Sequence, residues 1–179
     1  VEKPGHTMSE KVVGENFERI FNNAKGRIIV ATFASNVHRI QQIVDASVKY
    51  ERKVAVSGRS MENIVAVAAE LGYLNIPEDT LVGIDQINKY NNDQVSIITT
   101  GSQGEPMSAL ARMANSEHRK VNIVAGDTVI ISATPIPGNE KLVSKVINQL
   151  LQKGAEVIYK ALAEIHVSGH ACKEELKLM

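Results

Sequence analysis

The residues best suited to chemistry lie in the stretch HVSGH at positions 166–170. The imidazoles of His166 and His170 flank the hydroxyl of Ser168, at a point where an apolar strand pattern gives way to a charged helical one. Imidazole and hydroxyl groups, together with the N–H groups of a helix N-terminus, are donors that suit a phosphate or another anion. The stretch therefore outlines an anion-binding or catalytic site; the alternative is a structural turn whose histidines satisfy backbone groups.

The same two histidines are also candidates for metal ligands, because they lie four residues apart. The intervening Gly169 and the change from strand to helix make a ligand pair on one helical face the less favoured interpretation. Elsewhere, Asp127 follows Gly126 with no second carboxylate or histidine at a ligand-like spacing, which is typical of a turn. The sequence thus predicts no metal ligand in this chain.

A second candidate anion site is the glycine-rich loop TTGSQGEP at residues 99–106, which follows a strand pattern and opens a helix. Its glycines let backbone amides approach a ligand, and the helix adds its positive end. Ser102 and Gly104 are the residues predicted to bind phosphate there. The loop is neither a dinucleotide fingerprint nor a P-loop, since GK[ST] is missing, so a plain strand-to-helix turn is the alternative.

Other polar loops are weaker candidates. Residues 57–60 have the sequence SGRS, in which Arg59 can pair with a phosphate or simply solvate a turn. Asn36 precedes a helical pattern, and N-capping explains its position without a ligand. Three isolated histidines are predicted to be surface residues: His6, His38 and His118.

Length and composition indicate a globular protein. The 179 residues fit one domain, and 44% are hydrophobic and 22% charged. Twenty basic and twenty acidic residues balance, so any site for a polyanion must be local. The single cysteine, Cys172, excludes an internal disulfide framework and fits a cytoplasmic protein. No apolar run approaches the roughly 18 residues that span a bilayer. The sequence starts without methionine and stops inside a helical pattern, which predicts that it is a piece of a longer protein.

Strand and helix patterns alternate along the chain and predict an α/β fold, with a mostly parallel sheet flanked by helices. Strands are predicted at 27–33, 53–56, 95–99, 121–125, 128–132, 157–159 and 162–166, with a short strand or turn and a short helix within 81–90. Helices are predicted from a capping box at 7–10 to near Gly26, from Asn36 to about 48, at 61–71, at about 107–115, and from Asn139 to Gly154. The loops 32–36, 57–60, 99–106 and 133–138 then lie at the carboxyl ends of strands, where such sheets bind ligands.

Four motifs, taken in chain order, resemble those of the bacterial ribonuclease J family: ATFASNVHR at 31–39, SGRSM at 57–61, TGSQGEP at 100–106 and HVSGH at 166–170. The similarity covers essentially the whole chain. It implies the Rossmann-like β-CASP domain, which in this family is inserted into a metallo-β-lactamase domain and covers the active-site cleft. Residues 1–160 would form the β-CASP domain, and 161–179 the return segment into the otherwise absent lactamase domain.

The resemblance also implies an activity and residue roles. The parent would be a cytoplasmic, homo-oligomeric hydrolase that acts on RNA as a 5′-3′ exonuclease and endonuclease, in rRNA processing and mRNA decay. His170 matches a histidine at the edge of a dinuclear zinc centre that assists protonation of the leaving group. His166 and Ser168 match positions that bind an RNA phosphate, so that a 5′-monophosphate would be held at a distance of one nucleotide from the metals.

The zinc ligands of the family lie in an HxHxDH motif, and this chain contains no HxH or HxxDH arrangement. The resemblance therefore implies two zinc ions in the full-length parent, no cofactor in this fragment, and no activity of the fragment alone. Two alternatives belong to other classes. One is a free-standing module that binds a nucleotide or sugar phosphate through the loop 99–106. The other is a small-molecule enzyme with His166 and His170 as acid and base.

Overall fold

The computed structural model describes residues 10–159, in which parallel strands and α-helices alternate except between the third and fourth strands, and the predicted α/β fold is confirmed. The helices are α1 (Glu10–Asn23), α2 (Val37–Lys49), α3 (Arg59–Glu70), α4 (Ala109–Ala114) and α5 (Glu140–Gln152). The strands are β1 (Ile28–Ala31), β2 (Lys53–Ser57), β3 (Leu81–Val82), β4 (Val95–Thr99), β5 (Thr128–Ile131) and β6 (Glu156–Tyr159). Short 3₁₀ turns occupy Ile87–Lys89 and Asn92–Gln94.

The strands form one sheet in the order β3-β2-β4-β1-β5-β6, and every recorded pairing is parallel. From β1 the chain crosses to β2 on one side, whereas from β4 it crosses to β5 on the other. Because β1 and β4 are neighbours, their following loops diverge at the carboxyl edge of the sheet. Ligands of open α/β sheets bind at such a switch point, so a ligand site is expected at the carboxyl edge of this sheet.

Helices cover both faces of the sheet. On one face α1, α2 and α3 pack on alternate strand residues, and their apolar cluster includes Phe17, Ile28 and Val30. On the other face α4 and α5 pack on the intervening residues, such as Ile29 and Ile97. Since β1 is buried along its whole length, its apolar run reads as continuous rather than alternating, as the sequence indicated.

The starts of α2 and α5 show how far the local sequence predicts helix capping. Asn36 caps α2 as predicted, because its Oδ1 accepts a hydrogen bond from the backbone N–H of Arg39 at 3.0 Å. Asn139 occupies the expected position before α5, but its side chain makes no capping bond. Its Nδ2 instead donates to Gln103 Oε1 at 3.4 Å, so the start of α5 is right and the expected capping contact is wrong.

The strand predicted at 121–125 is wrong. Val121 and Ile123 are buried in the core, which explains their strand-like alternation. However, the backbone N–H of Val124 donates to Asp127 Oδ2 at 2.9 Å, so a turn carboxylate satisfies this amide instead of a neighbouring strand. The strand predicted at 162–166 and the domain boundary at residue 160 lie outside the described residues and stay predictions.

Candidate functional site

A polar cleft of about 820 Å³ opens where the carboxyl ends of β2 and β4 meet the loop that follows α4. The end of β2 and its turn contribute Ser57, Gly58 and Arg59. The end of β4 contributes Thr100 and Gly101, and the other polar residues lining the cleft are Ser60, Glu62, Glu105, Ser108, Arg112, His118, Arg119 and Lys120. The cleft therefore combines two of the loops that the sequence marked as ligand-binding candidates.

Gly58 makes the close approach of these two loops possible. Its φ is +113°, and a Cβ added there would lie 2.6 Å from Thr100 Oγ1. A side chain at this position would therefore push the β2 turn away from the end of β4. The helix α3 begins at the next residue, and no side chain caps its first turn. The backbone N–H groups of that turn consequently keep the partial positive charge of a helix N-terminus.

Ser57 and His118 form a hydrogen-bonded pair within the cleft, with 3.0 Å between Ser57 Oγ and His118 Nε2. The other ring nitrogen, Nδ1, accepts from the backbone N–H groups of Val121 at 3.0 Å and Lys120 at 3.3 Å. An imidazole nitrogen that accepts carries no proton, so these contacts assign the proton of the neutral ring to Nε2. Nε2–H then donates to the Ser57 hydroxyl.

Burial lowers the pKa of His118, and the positive charges of Arg112 and Lys120 lower it further. The ring is thus neutral at physiological pH. Because its proton already lies on Nε2, His118 is a donor to Ser57 rather than a base that activates it. The sequence placed His118 on the surface; the ring does line this open cleft, but it is half-buried and has three hydrogen-bond contacts.

Positive charge predominates around the cleft. The cationic side chains that line it are Arg59, Arg112, Arg119 and Lys120, against the carboxylates of Glu62 and Glu105. Asp85 lies 3.8 Å from Lys120 Nζ in an exposed pair that water screens. Since the whole chain has no net charge, this concentration is local, as required of an anion site in such a protein.

The loop residues predicted to bind phosphate have a different environment. Ser102 is 2% exposed, and a Cβ added to Gly104 would lie 2.5 Å from the backbone carbon of Leu142 in α5. Between them, Gln103 donates from Nε2 to Thr134 O at 3.0 Å and accepts at Oε1 from Ile136 N at 2.7 Å. Residues 102–104 thus link β4 to α5, and phosphate binding by Ser102 and Gly104 stays a prediction.

His118 is the site residue that sequence reasoning missed, because its partner Ser57 lies 61 residues away in the chain. Gln103 lies in the glycine-rich loop that the sequence marked, but no pattern predicts its contacts with Thr134 and Ile136, which are more than 30 residues away. His38 is exposed as predicted, and Arg59 lies in the cleft. The candidates His166, Ser168 and His170, together with His6, lie outside the described residues.

Within residues 10–159 no three His, Cys, Asp or Glu side chains converge as metal ligands. Asp127 has the turn role that was predicted for it, since it accepts from the Val124 amide and pairs with Arg27. In the same range, the structure contains no helix with the length and apolar character needed to cross a membrane.

Comparison with known proteins identifies the family. A family model described as the ribonuclease J β-CASP domain matches residues 25–150. Ribonuclease J of Helicobacter pylori strain J99 is 50% identical over 177 residues, which are 99% of this chain and 26% of that protein. Ribonuclease J of Thermus thermophilus is 48% identical over 178 residues, which are 99% of this chain and 31% of that protein. Ribonuclease J2 of Bacillus subtilis is 45% identical over 178 residues, which are 99% of this chain and 32% of that protein.

The chain spans between a quarter and a third of the length of these relatives. The family model covers more than half of the chain and includes three of the four motifs, those at 31–39, 57–61 and 100–106. The chain belongs to the ribonuclease J family, in which it corresponds to the β-CASP domain.

Proposed function

We propose that this chain is the RNA-binding domain of a ribonuclease that degrades and processes RNA, cutting it both from the 5′ end and internally. Relatives over its whole length are named ribonuclease J, so the intact protein would be a hydrolase of the same kind. The single observation that carries the RNA-binding role is the cationic cleft at the carboxyl ends of β2 and β4.

Several properties of this cleft suit RNA. A single strand of RNA presents one phosphate per nucleotide, and arginine binds phosphate through short, charge-assisted hydrogen bonds. The cationic residues come from three different segments: Arg59 from the start of α3, Arg112 from α4, and Arg119 and Lys120 from the following loop. Positive groups spread along a cleft can follow a phosphate backbone, whereas a compact cluster suits a single anion.

The proposed chemistry requires groups that this part of the chain does not supply. Residues 10–159 contain no donor set that fits zinc, so the role proposed for them is to bind and orient RNA. Two zinc ions are proposed for the intact protein, held by a metallo-β-lactamase domain outside this chain. The fragment alone is accordingly expected to cleave no RNA, and the intact protein to be cytoplasmic and homo-oligomeric.

The terminal motif has proposed roles that rest on the family resemblance. His166 and Ser168 would bind an RNA phosphate and favour substrates with a 5′-monophosphate. His170 would donate a proton to the leaving group, a task for which an imidazole is suited near neutral pH. Ser102 and Gly104 are proposed as further phosphate contacts.

Charge reversal at the cleft tests the proposal. In the intact protein, Arg119→Glu is expected to weaken binding of a fluorescent, 5′-monophosphorylated RNA about tenfold at low salt, with a smaller loss as salt rises. The matched control is Lys145→Glu on α5, which makes the same charge change at an exposed position away from the cleft. Equal effects of the two variants would contradict an RNA site in this cleft.

A second measurement addresses the alternative of a free-standing module. Calorimetric titration of the 179-residue chain with single mononucleotides is expected to show no tight, base-selective binding. Saturable binding of one nucleotide in preference to RNA would instead support a small-molecule module.

A further inference from the structure

We infer that the Ser57 hydroxyl is a donor to an RNA phosphate in the cleft, and that His118 is the positioning residue that directs it. The inference rests on the proposed RNA-binding function and assigns a specific contact within that site. It also gives a role to a pair of side chains that come from two different segments lining the cleft, the end of β2 and the loop after α4.

The first step concerns the direction of the Ser57 hydrogen bond. Ser57 is 3% exposed, yet it lines the cleft. Among the described residues, the only recorded hydrogen-bond partner of its hydroxyl is His118, whose Nε2–H donates to Oγ. A hydroxyl has one proton to donate and two lone pairs. With a lone pair occupied by His118, its own proton is left for an acceptor in the cleft.

The second step concerns what holds His118. The backbone N–H groups of Lys120 and Val121 both donate to Nδ1, which fixes the ring and its tautomer. Val121 is buried in the core, so the ring is anchored to a rigid part of the fold. The same contacts place Arg119 and Lys120 beside the end of β2. One neutral imidazole therefore orients the hydroxyl and locates two cations along the same wall.

The third step concerns the class of ligand. A donor hydroxyl in a cleft that Arg59, Arg112 and Arg119 also line is complementary to an anionic oxygen. A metal cation does not fit, because both His118 ring nitrogens are engaged in hydrogen bonds and cationic side chains outnumber carboxylates in the cleft lining. Among anions, a phosphodiester chain offers acceptor oxygens in sequence, which matches a cleft lined by donors from several segments.

The test is a double-mutant cycle in the intact protein, with a ten-nucleotide single-stranded RNA as the probe. Ser57→Ala is expected to weaken binding about tenfold, the effect of one hydrogen bond to a charged group. His118→Asn keeps an acceptor near Nδ1 for the loop amides but removes the donor to Ser57, and a several-fold loss is expected. The double variant is expected to lose no more than Ser57→Ala alone, since both changes remove the same contact.

Two further measurements separate positioning from folding. In cleavage assays the variants are expected to raise KM with kcat unchanged, whereas partial unfolding lowers the apparent kcat and leaves KM as it was. His118→Gln, which carries an amide donor on a longer side chain, is expected to recover part of the binding. Ser144→Ala on α5 is the matched serine control, because that residue is exposed and lies outside this cleft.

Wild-type affinity in folded Ser57→Ala, or additive losses in the double variant, would overturn the inference while leaving the RNA-binding role in place. Failure of the wild-type protein to bind RNA would overturn both. Non-additive losses with a raised KM support the assigned contact.

Discussion

Arg27 and Asp127 lie 100 residues apart in the chain and form a two-point ion pair at the amino ends of β1 and β5. Arg27 Nε lies 2.9 Å from Asp127 Oδ1, and Nη2 lies 2.6 Å from Oδ2. The Asp127 side chain is 1% exposed, and its Oδ2 also accepts from the Val124 amide. One carboxylate thus joins two neighbouring strands and closes the turn that leads into β5.

Removing this carboxylate charge is expected to be costly. Asp127→Asn leaves the Arg27 guanidinium buried without its counter-charge, and breaking such a pair typically lowers the free energy of unfolding by about 3 to 5 kcal/mol. Urea unfolding monitored by circular dichroism measures the loss. The control is Glu18→Gln, which breaks the exposed pair with Lys49 and is expected to change little. Similar stabilities of the two variants would show that the buried pair is unimportant.

The loop between β4 and α4 packs on α5 and is expected to tolerate no side chain at Gly104. Its φ is +71°, and an added Cβ would lie 2.6 Å from Val143 N as well as close to Leu142. Gly104→Ala is expected to lower the free energy of unfolding by about 2 to 4 kcal/mol, from backbone strain and overpacking together.

Gly138→Ala is the matched control for that experiment. Gly138 also has a positive φ, of +101°, but nothing lies within 4 Å of an added Cβ. Only the strain of about 1 to 2 kcal/mol is expected. Thermal melts of the two variants check the difference, and equal losses would mean that α5 does not pack on Gly104 as described.

The lowered pKa of His118 predicts a pH dependence of stability. Because the folded-state pKa lies below the unfolded value, the unfolded chain takes up a proton first as the pH falls. The contribution of His118 is therefore fully present above the ordinary pKa of about 6.5 and is lost as the pH falls through the folded-state value. Protonation of Nδ1 would also break the hydrogen bonds that it accepts from the backbone N–H groups of Lys120 and Val121.

The measurement compares unfolding of the wild type and of His118→Gln between about pH 7.5 and pH 5. The difference in stability between the two proteins is expected to shrink toward acid pH. A difference that is constant with pH would indicate that His118 titrates alike in the folded and unfolded states.

The proposed terminal-phosphate contact predicts a selective defect. In the intact protein, Ser168→Ala and His166→Ala are expected to weaken action on 5′-monophosphorylated RNA by about ten- to a hundredfold, the effect of one charge-assisted hydrogen bond. Internal cleavage is expected to fall less. Parallel assays with an end-labelled linear RNA and a circular RNA compare the two activities, and equal losses would argue against a dedicated terminal pocket.

A chemical role of His170 predicts a different kinetic result. His170→Ala is expected to lower kcat by about 10²- to 10⁴-fold with little change in KM, because a proton donated at the barrier does not alter ground-state binding. Single-turnover kinetics on the intact protein check this. A variant that melts well below the wild type but keeps near-normal kcat in its folded fraction would assign His170 a structural role instead.

The amino-acid sequence by itself determined the elements whose signals are local. The apolar run at Val95–Thr99 predicted β4 with its observed bounds, and Asn36 predicted the start of α2. Strand periodicity and helix caps depend on residues a few positions apart, so they can be read without the fold. The alternation of these elements was enough to predict the parallel sheet, and the order of the motifs was enough to indicate the family.

Only the tertiary structure decided which distant side chains meet. The Val121–Ala125 segment has strand-like alternation but forms no strand, because Asp127 satisfies its amide from within a turn. The Ser57–His118 pair joins residues 61 positions apart through the pairing of β2 with β4 and the course of the loop after α4. Such contacts depend on strand order and loop path, which a local sequence pattern does not determine. For that reason His118 reads as a surface residue in the sequence and becomes a positioned donor only in the fold.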